Sequence, residues 1–295
     1  MKALLLGSSG WIGKNVMSQR PDWLWTCVNS KICDLERADE VDNIVGDFDV
    51  VIHTAGFFGG LPFNETHKEK ILFKNMRMNT NICSLVKRCK PKKFIIVGSA
   101  CVYPPQGNDL LTENMIGPTD FHPSVKHSAL AKLSLLQMAK NLNLNFEYLI
   151  VSNAYGPAEH TSAEKSHIIG SLIKKIIHSD SNLEMMGTGA GVRDYIFIDD
   201  VAEAVCRYCE LEKSTNSCTN ISNSHAITVK EIVQKLLNCS NKNLKLVWGD
   251  PKDDGVEYKI LDNSKMRNDI GFSPAVGIDD GLKQTWNYFH AVKKV

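Results

Sequence analysis

The first thirteen residues, MKALLLGSSGWIG, limit the architecture more than any other stretch of the chain. Ala3 to Leu6 is an unbroken apolar run, the pattern of a strand buried on both faces of a parallel sheet. It stops at Gly7, Gly10 and Gly13 follow at three-residue spacing, and Lys14 to Ser18 continues as the start of a helix. Strand, glycine turn and helix in that order make a phosphate cradle. Gly7 allows the tight turn, Gly10 removes a side chain where a diphosphate approaches, and Gly13 lets the helix lie against the strand. The free N–H groups of the first helical turn face the anion. Gly7, Ser9, Gly10, Trp11, Ile12 and Gly13 are therefore the expected dinucleotide contacts, against the alternative of a glycine-rich turn that binds nothing.

Further along, strand-like and helix-like segments alternate. Trp23 to Ser30, Asp49 to Ala55, Phe94 to Val97 and Phe146 to Val151 read as strands; Lys68 to Cys89 and Ala129 to Leu142 carry helical periodicity. Right-handed crossovers then give an α/β fold, a Rossmann-like doubly wound parallel sheet. The expected dinucleotide domain spans residues 1–156 plus about 194–218. A smaller C-terminal α/β substrate lobe takes 157–193 and 219–295, lying over the carboxyl ends of the strands where such sheets bind ligands. Ser166 to His178 reads as a helix and Ile278 to Phe289 as an amphipathic one.

The end of the second strand meets the adenosine ribose in such a fold. Here Asn29, Ser30 and Lys31 stand with no acid before Asp34, which favours NADP(H) over NAD(H) and leaves Asp34 beside the adenine. Ala55 and Gly56 end the next strand and complete the cofactor crevice.

A net charge of +1 provides no electrostatic footprint for nucleic acid or an anionic membrane. No apolar run is long enough to span a bilayer, and no secretory leader is evident. The nine cysteines are odd in number and scattered, which points to a reducing cytoplasm. Cys206 and Cys209 are spaced C-x-x-C without a second pair, so packed thiols are expected there, and no metal site.

Chemistry is expected after the Phe94–Val97 strand. Ser99 could donate to a carbonyl oxygen and Cys101 could exchange a proton if its thiolate is stabilised. Alternatively Ser99 caps the strand end and Cys101 is a small buried hydrophobe.

Several motifs together resemble a known family. The G-x-x-G-x-x-G opening, Gly98 to Pro104 (GSACVYP), Asn153 to Pro157 (NAYGP) and Arg193 to Asp200 (RDYIFIDD) are similar to the extended short-chain dehydrogenase/reductases that modify nucleotide sugars. Within them the likeness is strongest to the GDP-L-fucose synthases, epimerase/reductases of GDP-4-keto-6-deoxymannose. Gly56 to Gly60, Asn75 to Asn79, Ser166 to Ile168, Lys259 to Asp262 and Gly271 to Pro274 extend the resemblance over nearly the whole chain. It implies that Cys101 and His167 exchange the protons on C3 and C5 of a GDP-linked 4-keto sugar, with Ser99 donating to the C4 oxygen. It further implies that Lys132 binds the nicotinamide ribose, that Arg193 and Lys259 hold the nucleotide diphosphate, and that Gly59 and Asn153 line the site. The family's dimer pairs the helices at Lys68–Cys89 and Ala129–Leu142 across a two-fold axis, so a homodimer is expected; core packing alone also explains their apolar stripes, Ile71, Met78, Ile82 and Leu85, and Leu130, Leu133 and Leu136.

One position departs from the pattern. The family carries a tyrosine four residues before the lysine; here Ser128 precedes Lys132, with His127 beside it. A serine hydroxyl is shorter and far less acidic than a phenol, so it cannot protonate the C4 oxygen by the same route. C3/C5 epimerisation is the activity these residues retain. Reduction at C4 requires another donor or water, or has been shed. The alternatives are another NAD(P)-dependent nucleotide-sugar epimerase or reductase, and a redox-inactive binding protein.

Overall fold

The computed structural model describes residues 1–105, 109–117, 120–159 and 167–292. The chain begins β1 (Lys2–Leu6), α1 (Trp11–Gln19), β2 (Leu24–Val28), α2 (Ala38–Asp42), β3 (Val50–His53), α3 (Leu61–Thr66), α4 (Lys68–Cys89) and β4 (Lys93–Ser99). A 3-10 turn (Ala100–Val102) leads on to α5 (Lys126–Asn141), β5 (Phe146–Val151), β6 (Asn153–Tyr155), α6 (Ile168–His178) and β7 (Asn182–Glu184). Then come β8 (Val192–Arg193), β9 (Tyr195–Phe197), α7 (Ile198–Glu210), β10 (Ser217–Ile221), β11 (Ile227–Thr228) and α8 (Val229–Ser240). The last elements are β12 (Lys245–Val247), β13 (Tyr258–Lys259), α9 (Ser264–Ile270) and α10 (Ile278–Val292).

The apolar runs pair as their patterning requires. β10, β5, β4, β3, β1 and β2 form one six-stranded sheet in that order, parallel throughout. Successive residues of β1 face opposite layers: Ala3 and Leu5 pack with α7 residues, Leu4 and Leu6 with α4 and α5. With helices on both faces the sheet is doubly wound. Its order reverses between β1 and β3, which opens a crevice at their carboxyl ends.

Helix α4 and strand β5 keep the limits that their periodicity predicts. Helices α1 and α5 start earlier than expected, at Trp11 and Lys126; in α5 the polar first turn Lys126-His127-Ser128 masks the start of the periodic stripe. The expected domain boundary at about residue 218 falls inside β10, which pairs with β5 through Ile221 before the chain leaves for the lobe. Of the expected helix from Ser166, the part from Ile168 is helical; Ser166 lies outside the described residues. In the lobe, β11, β8 and β13 form a small sheet beside α8, and β7 pairs with β12.

Candidate active site

The glycine turn is built by close backbone approach. Gly7 sits at φ +97, where a Cβ would stand 2.6 Å from the Ala55 nitrogen. At Gly13 a Cβ would meet the Gly7 carbonyl oxygen at 2.5 Å, and at Gly10 the same oxygen at 3.1 Å. Thr54 Oγ1 donates to the Leu6 carbonyl at 3.1 Å, tying the end of β1 to the end of β3. No side chain caps the N-terminus of α1, so the amides of its first turn remain open to an anion. These features fit the diphosphate of a dinucleotide.

Around the cradle, Ser9 is exposed and Ile12 packs partly into the core. Trp11 turns its indole Nε1–H to the Pro157 carbonyl at 2.8 Å, joining the turn to the segment after β6. Ser30, Lys31 and Asp34 are exposed beyond β2, and Lys31 has no ion-pair partner among the described residues. Past β3, Phe58 folds its ring over Gly56, where a Cβ would meet it at 2.4 Å. Asn75 of α4 fixes that loop from both sides: its Oδ1 accepts the Phe57 N–H at 2.9 Å and its Nδ2 donates to the Phe57 carbonyl at 3.0 Å. The Gly59 N–H donates to Asn64 Oδ1 at 3.2 Å.

At the carboxyl end of β4, Ser99 Oγ accepts the Cys101 N–H at 3.5 Å and so caps the 3-10 turn. Its own O–H proton is not used in that bond. Cys101 is half-buried. Burial lowers the pKa of Lys132, and charge interaction with the Cys101 thiol opposes that shift. The same pair of effects acts on Lys259, with the Arg193 charge adding to the lowering. Both lysines therefore lie within electrostatic range of Cys101, one from α5 and one from β13. The Phe58 ring lies 4.4 Å from Lys132 Nζ. Ser128, one turn before Lys132, is buried with no partner for its Oγ. Tyr103 is not a substitute for the missing phenol: its hydroxyl donates to Asn220 Oδ1 at 2.6 Å, and burial drives its pKa up.

The lobe contributes a second cationic end. Arg193 and Lys259 stand in register on β8 and β13, and neither forms an ion pair among the described residues. Arg193 Nη1 donates to the Val192 carbonyl at 2.9 Å, and a Cβ at Gly191 would crowd its guanidinium at 3.1 Å. Asn153 Nδ2 donates to the Asp194 carbonyl at 2.8 Å, which holds β6 against the Arg193 strand. His167 is exposed at the N-terminus of α6. Its backbone N–H donates to Glu159 Oε1 at 3.0 Å. Glu159 is itself buried, and that burial pushes its pKa up to about 8 against the favourable N–H. The residues between Glu159 and His167 lie outside the described residues.

Three polar residues at the site have no role in the sequence reading, although Asn75 and Asn79 bound one of its family motifs. Asn75 and Asn79 sit at (i, i+4) on the buried stripe of α4, and His53 ends the apolar run of β3. A lone polar residue inside a buried run was the available signal in each case. Cys206 and Cys209 are buried thiols, and burial raises the pKa of both. Among the described residues there is no cluster of three candidate metal ligands, and no helix is long and apolar enough to cross a membrane.

Residues 3–221 match the family described as NAD dependent epimerase/dehydratase family. The chain is 26% identical over 302 residues to GDP-L-colitose synthase of Yersinia pseudotuberculosis, covering 98% of each. It is 25% identical over 305 residues to GDP-L-fucose synthase 1 of Arabidopsis thaliana, covering 98% of this chain and 93% of that one. Among solved structures, a GDP-6-OMe-4-keto-L-xylo-heptose reductase from C. jejuni superposes with a TM-score of 0.89 at 19% identity, over 99% of this chain and 98% of that one. A GDP-L-fucose synthetase from Naegleria fowleri bound to NADP gives a TM-score of 0.84 at 22% identity, over 99% and 94%. These two structures share the fold.

Proposed function

The chain belongs to the NAD dependent epimerase/dehydratase family, the extended short-chain dehydrogenase/reductases, and from that premise we propose that it epimerises a GDP-linked 4-keto sugar. The observation that supports this reading is the place of Cys101, in the Ser99-capped turn at the carboxyl end of β4 and within electrostatic range of Lys132 of α5 and Lys259 of β13. The names of the two relatives above support the GDP-sugar substrate.

A C4 ketone acidifies the protons on C3 and C5, because the carbanion left behind delocalises as an enolate. Cys101 and His167 remove and return those protons, and return to the opposite face inverts the centre. Ser99 still has its hydroxyl proton for the C4 oxygen, where negative charge develops. Arg193 and Lys259 are half-buried cations in register that form no ion pair among the described residues, a charge pattern suited to the substrate diphosphate. In this reading Gly59 and Asn153 would also line the substrate site.

Gly7, Ser9, Gly10, Trp11, Ile12, Gly13, Ala55 and Gly56 would hold the dinucleotide, and Lys132 its nicotinamide ribose. The unpaired Lys31 beside Ser30 favours NADP(H) over NAD(H). When bound, that cofactor supplies hydride chemistry at C4. Ser128 is too short and too weak an acid to take a tyrosine's part in it.

Incubation with GDP-4-keto-6-deoxymannose in deuterated water, with NADPH present, tests the proposal. Deuterium at C3 or C5 without NADPH oxidation identifies an epimerase that has shed reduction. Uptake with oxidation identifies a reductase with a different proton donor. If neither occurs, the assignment to this substrate fails.

The faces of α4 and α5 also expose Phe73, Met76 and Leu130. We take a second copy of the chain as their cover. Leu130 is thus better assigned to this face than to the core stripe. Sedimentation at micromolar concentration should give a dimer, and Phe73→Glu a monomer; a wild-type monomer removes the idea.

A further inference from the structure

Behind Lys132 lies a cavity of about 20 Å³ that the proposed chemistry leaves unused. His53, Asn75, Asn79, Lys132 and Tyr148 line it, with Phe58 against the lysine. His53 is buried, and its Nδ1 has no hydrogen-bond partner. A buried polar atom without a partner is costly, and a cavity of this size has room for about one water. Both neighbouring asparagine side chains are already engaged: Asn75 with the Phe57 loop, and Asn79 Nδ2 with the Ala131 carbonyl and Ser134 Oγ. The Tyr148 hydroxyl donates to the Lys132 carbonyl at 3.2 Å. His53 Nδ1 and Lys132 Nζ line the same cavity and are placed to share a water.

We propose that His53 and Lys132 share one internal water, and that this water holds Lys132 as an ammonium poised to donate a proton where Ser128 cannot. His53 is a positioning residue in this arrangement. Its Nδ1 accepts a hydrogen from the water, which turns the water's lone pair toward the ammonium. A hydrogen bond to the charged form favours that form and opposes the burial that lowers Lys132. His53 itself stays neutral, since burial and the Lys132 charge press its pKa down to about 3. It therefore accepts throughout the physiological range.

The other titratable groups near Lys132 are Cys101 from the turn after β4 and Tyr148 from β5, with Lys259 of β13 within electrostatic range of the same thiol. Helix α4 presents only the neutral asparagines. In use, an N–H bond of Lys132 breaks as an O–H bond forms on the substrate oxyanion. The nitrogen keeps the electron pair, and the amine regains its proton from solvent through the shared water. The inference rests on the proposed function only for what that proton is used for.

The test is therefore read on the ligand-free protein. Isotope-edited NMR of lysine side chains, assigned with Lys132→Gln, gives the Lys132 midpoint and any cross-peak to a long-lived water. We expect a bound water in the wild type. His53→Leu should lose it and lower the Lys132 midpoint by about one pH unit. His53→Asn keeps a polar atom near the Nδ1 position and should retain both. No long-lived water at Lys132 in the wild type overturns the proposal even if neither variant folds. An unchanged midpoint in His53→Leu, or equal shifts in the two variants, overturns it as well. Deuterium uptake into the keto sugar is a separate measurement, so loss of the substrate assignment and loss of the water bridge are told apart.

Discussion

The two ends of the crevice are built from different materials. The turn between β1 and α1 is made of backbone: glycines packed within van der Waals limits of one another, and amides left open at a helix start. The cluster at the ends of β4 and α5 is made of side chains, and it concentrates polar groups that burial leaves strained or unpaired. His53 Nδ1, Ser128 Oγ and Glu159 Oε2 are all buried without partners, while Lys132 and Lys259 are lowered by burial. A backbone site tolerates changes in side-chain chemistry but not in side-chain volume. A side-chain site behaves the other way round. Such perturbed groups concentrate where protons are moved.

Substitutions can break this contrast. The largest effect should come from Cys101→Ala, which removes the proposed proton-transfer group and should cut deuterium uptake into the keto sugar by about 10²–10⁴-fold with the thermal midpoint little changed. Next, Arg193→Met should raise KM for the nucleotide sugar by about 10- to 100-fold through loss of charge-assisted contacts, with a smaller change in kcat. On the backbone side, Gly7→Ala forces a Cβ onto a left-handed turn against Ala55. Calorimetry and chemical denaturation should show loss of dinucleotide binding and a destabilisation of about 1–3 kcal/mol. If Gly7→Ala bound the dinucleotide normally, the cradle would not be the close-packed structure described here.

A pH experiment sharpens the side-chain half. Glu159 is held at about 8 in the folded protein, above its ordinary value near 4.5. The folded state therefore keeps a proton that the unfolded state loses. The contribution to stability is full below about 4.5 and is lost as pH rises toward 8. Urea melts of the wild type between pH 5 and 8 should lose stability with a slope approaching ~1.4 kcal/mol per unit, and Glu159→Gln should remove that part of the slope. Smallest of all, Ser9→Ala should change dinucleotide affinity by less than about twofold, because its exposed side chain leaves the amides of the turn in place. A large loss there would mean that side chains, too, hold the anion.

The same contrast governs what could be read from the sequence. The glycine turn, α4 and β5 are local patterns: spacing, apolar runs and helical periodicity specify them residue by residue. The pairing of Arg193 with Lys259 depends on β8 and β13, strands of two residues each, too short to leave a periodic trace. Cys101, Ser99 and Lys132 could be singled out from their places after a strand and on a helix, together with a family resemblance. For His53 the sequence offers only a lone polar residue ending the apolar run VVIH, and its meaning comes from the cavity behind Lys132. Glu159 is hidden in the same way: its meaning comes from burial and from the His167 N–H, both products of the tertiary fold.

The position of β10 bears on how the protein is made. The strand that completes the main sheet beside β5 follows α6, β7, β8, β9 and α7 in the chain. During synthesis, β5 waits with one edge unpaired until that whole excursion has left the ribosome. Such late, long-range pairing slows folding and leaves an aggregation-prone edge on any chain that ends early. Chains cut before Ser217 should therefore be recovered mainly as insoluble material, although they carry the entire glycine turn and both Cys101 and Lys132.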